Sequence, residues 1–155
     1  MERTFVAIKP DGVKRGLIGE IIARFEKKSY KIVALKMLNV DSELAAKHYE
    51  EHFGKPFYEK LIKFITLGPV VAMVVEGNNV IKGVRHIVGS TNPDEADVGS
   101  IRADYSSYNS TNVIHASDCV ESANREIALY FNENEICENY KTMFEVVLDE
   151  LGGIN

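Results

Sequence analysis

The chain has 155 residues, of which 45% are apolar and 26% are charged. These proportions are typical of a folded globular domain and exclude a disordered or low-complexity chain. Its 18 lysines and arginines against 23 aspartates and glutamates give a net charge of -5. A negative net charge argues against a general nucleic-acid binder. Any anionic ligand must therefore be bound by a local cluster of basic residues.

Cysteine usage and hydropathy restrict the cellular setting. Cys119 and Cys137 are too few and too far apart for a disulfide framework or a CxxC metal or redox site. The first residues reach charge and proline before an apolar stretch of signal-peptide length, and the longest apolar run, residues 70–75, is too short to span a bilayer. We therefore expect a cytoplasmic protein with reduced thiols and no membrane partner.

The first quarter of the chain predicts a strand, a helix and a second strand. Residues 4–8 are apolar and end at the proline and Asp-Gly turn signals of residues 9–12, which indicates a strand followed by a loop. Apolar residues recur at helical spacing over 18–25, with charged residues between them, and predict the first helix. Residues 30–40 are rich in Ile, Val, Leu and Met and predict the second strand.

A helical hairpin is predicted next. Asp41 or Ser42 can cap a helix that continues to about residue 52. Pro56 suits the first turn of a second helix. The apolar residues expected on the inward face of that second helix are Phe57, Leu61 and Phe64 or Ile65.

The middle of the chain predicts a buried element and then a long connection. Residues 69–76 are valine-rich and predict a strand, and the apolar spacing over 80–88 predicts a helix that ends at Gly89. Residues 89–111 are rich in Gly, Ser, Asn and Asp. A loop of that length inside a compact domain is usually functional.

The last part of the chain predicts one strand and two helices. Residues 112–116 form a short apolar stretch, and Asp118 with Glu121 three residues later can cap the helix that follows. Apolar spacing over 144–151 predicts a final helix ended by two glycines.

The order of these elements predicts an α+β fold. We expect a ferredoxin-like, split βαβ arrangement: an antiparallel four-stranded sheet with helices packed on it, an inserted helical hairpin and a long active-site loop. We see no internal repeat or linker, so residues 1–155 are expected to form a single domain.

His115 is the best candidate for a reactive residue. No GxxxxGK[ST] loop or GxGxxG fingerprint is present, so phosphates would have to be bound by side-chain cations. His115 lies in the segment NVIHASD, on the short strand just before a helix N-terminus. The positive end of the helix disfavours a charged imidazole and favours a phosphoryl anion, which suits a phosphate acceptor.

A metal-binding alternative comes from residues 48–52. His48-Tyr49-Glu50-Glu51-His52 matches the HxxEH zinc-protease pattern, and two histidines one helical turn apart could share a metal ion. Such short patterns are common by chance, and a zinc hydrolase would need a further protein ligand. His86 has no obvious partner, and we interpret it as structural.

Several longer motifs identify a resemblance. They are KPDGV after the first strand, HYEEHFGKPFY in the hairpin, RHIVGSTNP, GSIRADY, and NVIHASD followed by ESANREIALYF. With these motifs, residues 4–136 resemble the nucleoside diphosphate kinase family. The resemblance implies a cytoplasmic phosphotransferase that maintains nucleoside triphosphate pools. It would move the γ-phosphate of ATP or another triphosphate to GDP or another diphosphate, by a ping-pong route through a phosphohistidine.

The resemblance also implies the site residues and the cofactor. His115 is the phosphorylated residue, Glu126 orients its ring and Tyr49 lies near the phosphate. The nucleotide-binding residues are Lys9, Phe57, Arg85, Thr91, Arg102 and Asn112, with Phe57 on the base and Asn112 with Lys9 on the sugar. Mg²⁺ is the implied cofactor, held mainly by the nucleotide phosphates and not by a dedicated protein site.

Physical arguments support these implied roles. Phosphoryl transfer depends on positioning and charge neutralisation, and Lys9, Arg85 and Arg102 supply three positive charges from separate segments. An aromatic face such as that of Phe57 stacks on any base and therefore predicts broad base tolerance.

Some positions depart from the family pattern. Ser110-Thr111 stand where Gly-Arg is usual, Val98 replaces a proline, and Ala103 and Ala116 replace glycines. We expect an altered loop conformation and retained chemistry, although a catalytically inactive, nucleotide-binding scaffold is the alternative.

The end of the chain departs further. Residues 1–138 form the expected core, and the tail over 139–155 does not resemble the usual ending of the family. Because such tails often contact neighbouring subunits, we expect a homo-oligomer, with a hexamer favoured over a tetramer or dimer.

Overall fold

The computed structural model describes residues 1–153, and its centre is a four-stranded antiparallel sheet. The strand order is β2-β3-β1-β4, so that β2 and β4 are the edge strands. The strands are β1 (Glu2–Ile8), β2 (Lys31–Asn39), β3 (Pro69–Gly77) and β4 (Ile114–Ala116).

Helices pack on both faces of this sheet. The α-helices are α1 (Pro10–Lys14), α2 (Ile18–Lys27), α3 (Ser42–His48), α4 (Tyr58–Ile65), α5 (Val80–Val88), α6 (Ile101–Tyr105), α7 (Val120–Tyr130) and α8 (Met143–Glu150). Short 3-10 turns cover Glu50–His52, Pro93–Glu95, Asn109–Thr111 and Glu133–Glu135. The predicted ferredoxin-like α+β fold is confirmed, and no helix in the described part of the chain is long and apolar enough to cross a membrane.

The two central strands contain uninterrupted apolar runs, residues 5–8 in β1 and 69–75 in β3, because each strand contributes to two cores. In β1, Val6 and Ile8 pack with α2 and α5 on one face, whereas Phe5 and Ala7 pack with α3, α4 and α7 on the other. Successive side chains of a strand point to opposite faces, so a strand covered on both sides has no polar alternation. The apolar run of β1 therefore suits a strand in the middle of the sheet, covered on both faces.

Two segments that predict loops form short helices. Residues 9–12 do not remain a loop, because Pro10 begins α1 at the position where its missing N–H costs nothing. Within 89–111, Ser100 caps α6 by accepting a hydrogen bond from the backbone N–H of Ala103 at 3.3 Å. Both helices have five residues, too short for a periodic apolar pattern.

The predicted pair of helices is confirmed, but both helices are shorter than expected and a 3-10 turn lies between them. Helix α3 ends at His48, and His52 lies in a separate 3-10 turn. Asp41 caps α3, but Pro56 precedes α4, which begins only at Tyr58. Phe57 does not face inward as predicted, since it is 45% exposed.

The predicted cap of α7 is wrong. Cys119 occupies the N-cap position and makes no capping hydrogen bond with its side chain. Asp118 instead accepts a hydrogen bond from the Ser122 hydroxyl at 2.6 Å.

Residues 137–140, where the core ends and the tail begins, lie along the first half of edge strand β2. The backbone N–H of Cys137 donates to the Val33 carbonyl at 2.6 Å, and the Tyr140 hydroxyl donates to the Ile32 carbonyl at 2.5 Å. Helix α8 then begins with a reciprocal cap between Thr142 and Glu145. The predicted final helix is therefore confirmed, and the tail is attached to the sheet through backbone groups.

Two helical glycines give a matched test of this packing. A Cβ at Gly83 in α5 would lie 1.8 Å from Tyr30 Oη and 2.8 Å from Cζ, whereas a Cβ at Gly19 in α2 would meet nothing within 4 Å. We expect Gly83→Ala to lower the free energy of unfolding by about 1–3 kcal/mol through overpacking. Gly19→Ala should raise it by about 0.5 kcal/mol because alanine costs less backbone entropy.

Urea unfolding of both variants would measure these changes. Equal stabilisation by both substitutions would show that the Tyr30 ring does not pack over α5 as described.

Candidate active site

One cleft of about 690 Å³ collects all the site residues predicted from the sequence. They come from separate segments of the chain, and the fold brings them together at the end of β1 and beside β4. The predicted residues that line this cleft are Lys9, Tyr49, Phe57, Arg85, Thr91, Arg102, Asn112, His115 and Glu126.

His115 is oriented by a buried carboxylate. It is the middle residue of β4, opposite Ala7 of β1, and its Nε2 is hydrogen-bonded to Oε1 of Glu126. The Ser117 hydroxyl donates to the other oxygen of Glu126 at 2.8 Å, and Glu126 is 3% exposed. Since Nε2 is occupied, Nδ1 is the ring nitrogen without a partner in residues 1–153, and it is available to attack a phosphorus atom.

Two arginines cover the open edge of β4. The Ile114 carbonyl accepts from Arg102 Nη2 at 2.5 Å, and the Ala116 carbonyl accepts from Arg85 Nη1 at 3.2 Å. These carbonyls are two residues apart, so they point to the same side of the strand. The arginines therefore satisfy backbone acceptors that a further strand would otherwise bind, and the same cations line the cleft.

A strained turn leads into β4. Val113 has a φ of 72°, and the Ile114 N–H donates back to the Asn112 carbonyl at 2.8 Å, which closes a γ-turn. A β-branched residue in this conformation costs on the order of 1–3 kcal/mol. Contacts on both sides hold it: the Val113 N–H donates to Asp11, and the Val113 carbonyl accepts from the Lys9 N–H.

Arg102 is enclosed by the loop that precedes this turn. It is 3% exposed and also donates to the carbonyls of Gly89 at 3.1 Å and Asn112 at 3.3 Å. Gly89 has a φ of 89°, and a Cβ there would lie 2.4 Å from Ser100 Oγ, so the close approach requires glycine.

The cleft concentrates buried positive charge. Burial, together with the charge of Arg102, lowers the pKa of Lys9 to about 8. Burial, together with the charge of Arg85, lowers the pKa of Arg102 to about 10. Desolvation disfavours the charged form of each group, so an anion that enters the cleft meets cations that have already lost their water.

Asn112 connects this charge to the loop. Its side-chain oxygen accepts from Lys9 Nζ at 2.7 Å, and its amide nitrogen donates to the Thr91 carbonyl at 3.1 Å. Asn112 therefore orients the Lys9 ammonium relative to the loop that carries Thr91.

Tyr49 and Phe57 occupy opposite environments. Tyr49 is buried, and burial with the nearby charge of Glu126 raises the pKa of its hydroxyl, which stays protonated. Phe57 stands half-exposed at the rim, where its face can receive a planar ring.

The metal-binding alternative at residues 48–52 finds no support in the structure. Among the described residues, the group of three that could share a metal ion contains His48, His115 and Glu126, and not His52. His48 ends α3 and His52 lies in a separate 3-10 turn, so the two histidines do not share the regular helical turn that the alternative needs.

Sequence reasoning missed two parts of the site. Ser117 lies within NVIHASD, so its position in the motif was the available signal for its contact with Glu126. His48 is packed edge-on against His115, with ring centroids 4.6 Å apart, and no local pattern indicates this contact.

Comparison with known proteins agrees with this geometry. The family model described as nucleoside diphosphate kinase matches residues 2–136. A nucleoside diphosphate kinase of Listeria welshimeri is 57% identical over 143 residues, which cover 92% of this chain and 97% of that protein. One from Saccharolobus islandicus is 55% identical over 136 residues, 88% of this chain and 99% of the relative.

A solved structure is similar over the same region. The halophilic nucleoside diphosphate kinase from Halobacterium salinarum, in complex with CDP, has a TM-score of 0.91 and 45% sequence identity, and the match covers 94% of this chain and 97% of that one. The chain therefore belongs to the nucleoside diphosphate kinase family, and its function is that of a nucleoside diphosphate kinase.

Proposed function

We propose that this enzyme transfers the γ-phosphate of a nucleoside triphosphate to a nucleoside diphosphate in two steps, through phosphorylation of His115 at Nδ1. The observation that carries the proposal is the hydrogen bond between His115 Nε2 and the buried carboxylate of Glu126, which leaves Nδ1 as the unpaired nitrogen. Lys9, Arg85 and Arg102 line the same cleft and supply the charge that a triphosphate needs.

In the first step Nδ1 forms a bond to the γ-phosphorus while the bond from that phosphorus to the bridging oxygen breaks. The diphosphate leaves with the electron pair of that oxygen. The proton on Nε2 stays between the ring and Glu126, whose negative charge stabilises the positive charge that develops on the ring. In the second step the terminal oxygen of another diphosphate attacks the same phosphorus and releases Nδ1.

Ser117 acts as a positioning residue in this scheme. Its hydroxyl holds the second oxygen of Glu126, so the carboxylate cannot rotate away from the ring. The Tyr49 hydroxyl lies in the cleft with its proton retained and can donate to a phosphate oxygen.

The cleft suits Mg²⁺ that arrives on the nucleotide. Mg²⁺ keeps several waters and binds through substrate phosphates with one or two carboxylates. The acidic residues that line the cleft besides Glu126 are Glu51 and Asp118, and a hydrogen bond from Ser122 lowers the pKa of Asp118, which keeps it ionised. These two carboxylates could accept hydrogen bonds from the metal's waters, while the ion itself neutralises phosphate charge.

The remaining residues fit the nucleoside. The exposed face of Phe57 would stack on the base, and Lys9 with Asn112 would bind the sugar hydroxyls. Stacking on one aromatic face discriminates little among bases, which supports a broad range of nucleoside substrates such as ATP and GDP.

The family relationship supports a cytoplasmic location and a homo-oligomer. A hexamer is favoured over a tetramer or dimer. Leu35 and Met37 on edge strand β2 are 52% and 58% exposed, and such apolar side chains on an open edge are consistent with burial against another subunit.

Substitution of the proposed nucleophile gives the first test. We expect His115→Gln to lower turnover at least about a thousandfold, because it removes the acceptor nitrogen. Incubation with γ-labelled ATP and Mg²⁺ should label the wild-type protein in an acid-labile, base-stable form, and added GDP should collect the label as GTP. His86→Gln is the matched control, since His86 is exposed and does not line this cleft. Label on the His115→Gln protein would contradict the proposed acceptor.

The lowered pKa of Lys9 gives a pH prediction. Lys9 loses its positive charge as pH rises through about 8, so attraction for phosphate weakens and kcat/KM falls in that range. In Lys9→Arg the side chain keeps its charge. The fall of kcat/KM at alkaline pH should therefore move to above about pH 10, whatever the absolute rate of the variant.

The measurement is kcat/KM between about pH 6 and pH 10. Lys60→Gln is the control, because Lys60 also lines the cleft but is exposed. In this variant kcat/KM should still fall near pH 8. If kcat/KM also fell near pH 8 in Lys9→Arg, a group other than Lys9 would be responsible for the pH dependence.

Removal of the proposed base platform gives a third test. Phe57→Ala should raise KM about tenfold for adenine, guanine and cytosine nucleotides alike, because base stacking on an aromatic ring contributes about 1–3 kcal/mol. Phe53→Ala is the matched control, since Phe53 is 78% exposed and does not line the cleft. Equal KM values for both variants would exclude Phe57 from base binding.

A further inference from the structure

His48 is a buried group that the phosphotransfer mechanism does not use. It is 3% exposed, and the rings of Phe5, Tyr49, His115 and Tyr130 surround it. Its Nδ1 is hydrogen-bonded to the Tyr130 hydroxyl at 3.0 Å, and its Nε2 is buried without a partner in residues 1–153. An unpaired buried nitrogen costs free energy and calls for an explanation.

The position of His48 suggests an explanation for its unpaired nitrogen. A ring nitrogen of His48, a ring nitrogen of His115 and a carboxylate oxygen of Glu126 all lie within 4.8 Å of one another. Zinc binds imidazole nitrogen at about 2.0–2.1 Å, so two ligands of one ion lie at most about 4.2 Å apart. Side-chain shifts of less than about 1 Å would therefore bring these atoms onto a common ion.

The neighbours of the three residues suit a metal site. Metal-binding histidines usually donate their second N–H to an outer partner, which fixes the tautomer. Tyr130 can accept that hydrogen bond from His48 Nδ1, which leaves a lone pair on Nε2. His115 and Glu126 line the cleft, from which an ion and a water ligand can enter.

The donor set selects the class of ion. Two imidazoles and one carboxylate match Zn²⁺ and related transition ions, whereas Mg²⁺ prefers oxygen ligands only. Lys9, Arg85 and Arg102 line the same cleft and repel cations, so a weakly bound divalent ion would not be held there.

We propose that the nucleotide-free enzyme has a transition-metal site formed by His48, His115 and Glu126, and that Zn²⁺ bound there inhibits phosphorylation. A metal on Nε2 of His115 takes the place of the proton between the ring and Glu126. A neutral ring keeps one proton, which moves to Nδ1 and consumes the lone pair that would attack phosphorus; a metal on Nδ1 blocks that atom directly. The inhibitory part rests on the proposed role of His115, whereas metal binding itself does not.

Binding is tested without nucleotide. The full-length protein would be titrated with ZnCl₂ in competition with a chromophoric chelator. We expect the wild type to bind one Zn²⁺ per chain in this site, and His48→Gln to lower its affinity at least about tenfold. His52→Gln is the matched control, because His52 is close in sequence but outside the group, and it should bind like the wild type. Equal affinity in the wild type and His48→Gln would overturn the site.

A second variant covers the case in which His48→Gln does not fold. Tyr130→Phe keeps the aromatic ring but removes the oxygen bonded to His48 Nδ1. Loss of such an outer partner should weaken zinc binding about tenfold. Unchanged zinc affinity in this variant would also contradict the proposed ligand arrangement.

Inhibition is tested separately. Protein loaded with Zn²⁺ and freed of excess metal would be mixed with γ-labelled ATP and Mg²⁺, with and without prior EDTA treatment. We expect little phosphoenzyme in the loaded wild type, recovery after EDTA, and no zinc effect on the fraction phosphorylated in His48→Gln. Zinc binding without inhibition would overturn the inhibitory part. Absence of label in zinc-free wild type would contradict the proposed function and not the metal site.

Discussion

Strand β4 carries His115, the proposed phosphate acceptor, and three residues are too few to hold a strand in place without external support. On one side β4 pairs with β1, the central strand that both hydrophobic cores cover. On the other side its carbonyls accept hydrogen bonds from Arg85 and Arg102. The orientation of His115 thus depends on a rigid apolar strand and on two cations. The strained turn at Val113 persists because Asp11 accepts from its backbone N–H and the Lys9 N–H donates to its carbonyl.

The same cations connect stability to ligand binding. Buried Lys9 and Arg102 lose water on folding. The Asn112 amide oxygen that accepts from Lys9, and the backbone carbonyls that accept from Arg102, replace only part of that solvation. An anionic ligand would supply the missing countercharge. Preorganised, desolvated donors of this kind are effective in phosphoryl transfer because they need little rearrangement when charge moves during the reaction.

Periodicity predicted the main strands and helices because each combines an apolar face with a regular repeat of sufficient length. It failed for α1 and α6, whose five residues are fixed by Pro10 and Ser100 and by tertiary contacts. It also failed for Phe57, since an apolar residue at helical spacing normally points inward, whereas this one lies at the cleft rim.

The members of the site could be identified from motifs, but their arrangement could not. Arg102 illustrates the difference. Its charge suggests phosphate binding, yet three of its hydrogen bonds go to backbone carbonyls on two separate segments. The contact between His48 and His115 likewise joins residues far apart in sequence, which a local pattern cannot indicate.

The attachment of residues 137–140 to β2 has a consequence for the exposed edge of the sheet. The Cys137 N–H occupies the Val33 carbonyl and the Tyr140 hydroxyl occupies the Ile32 carbonyl, so another chain cannot hydrogen-bond to those groups. Within residues 1–153, no other strand pairs with the outer edge of β2, and Leu35 and Met37 in its later part are exposed. Unprotected edges invite indiscriminate pairing and aggregation. By shielding the first half of β2, residues 137–140 shorten the edge that a neighbouring strand could pair with and restrict the registers that this strand could adopt.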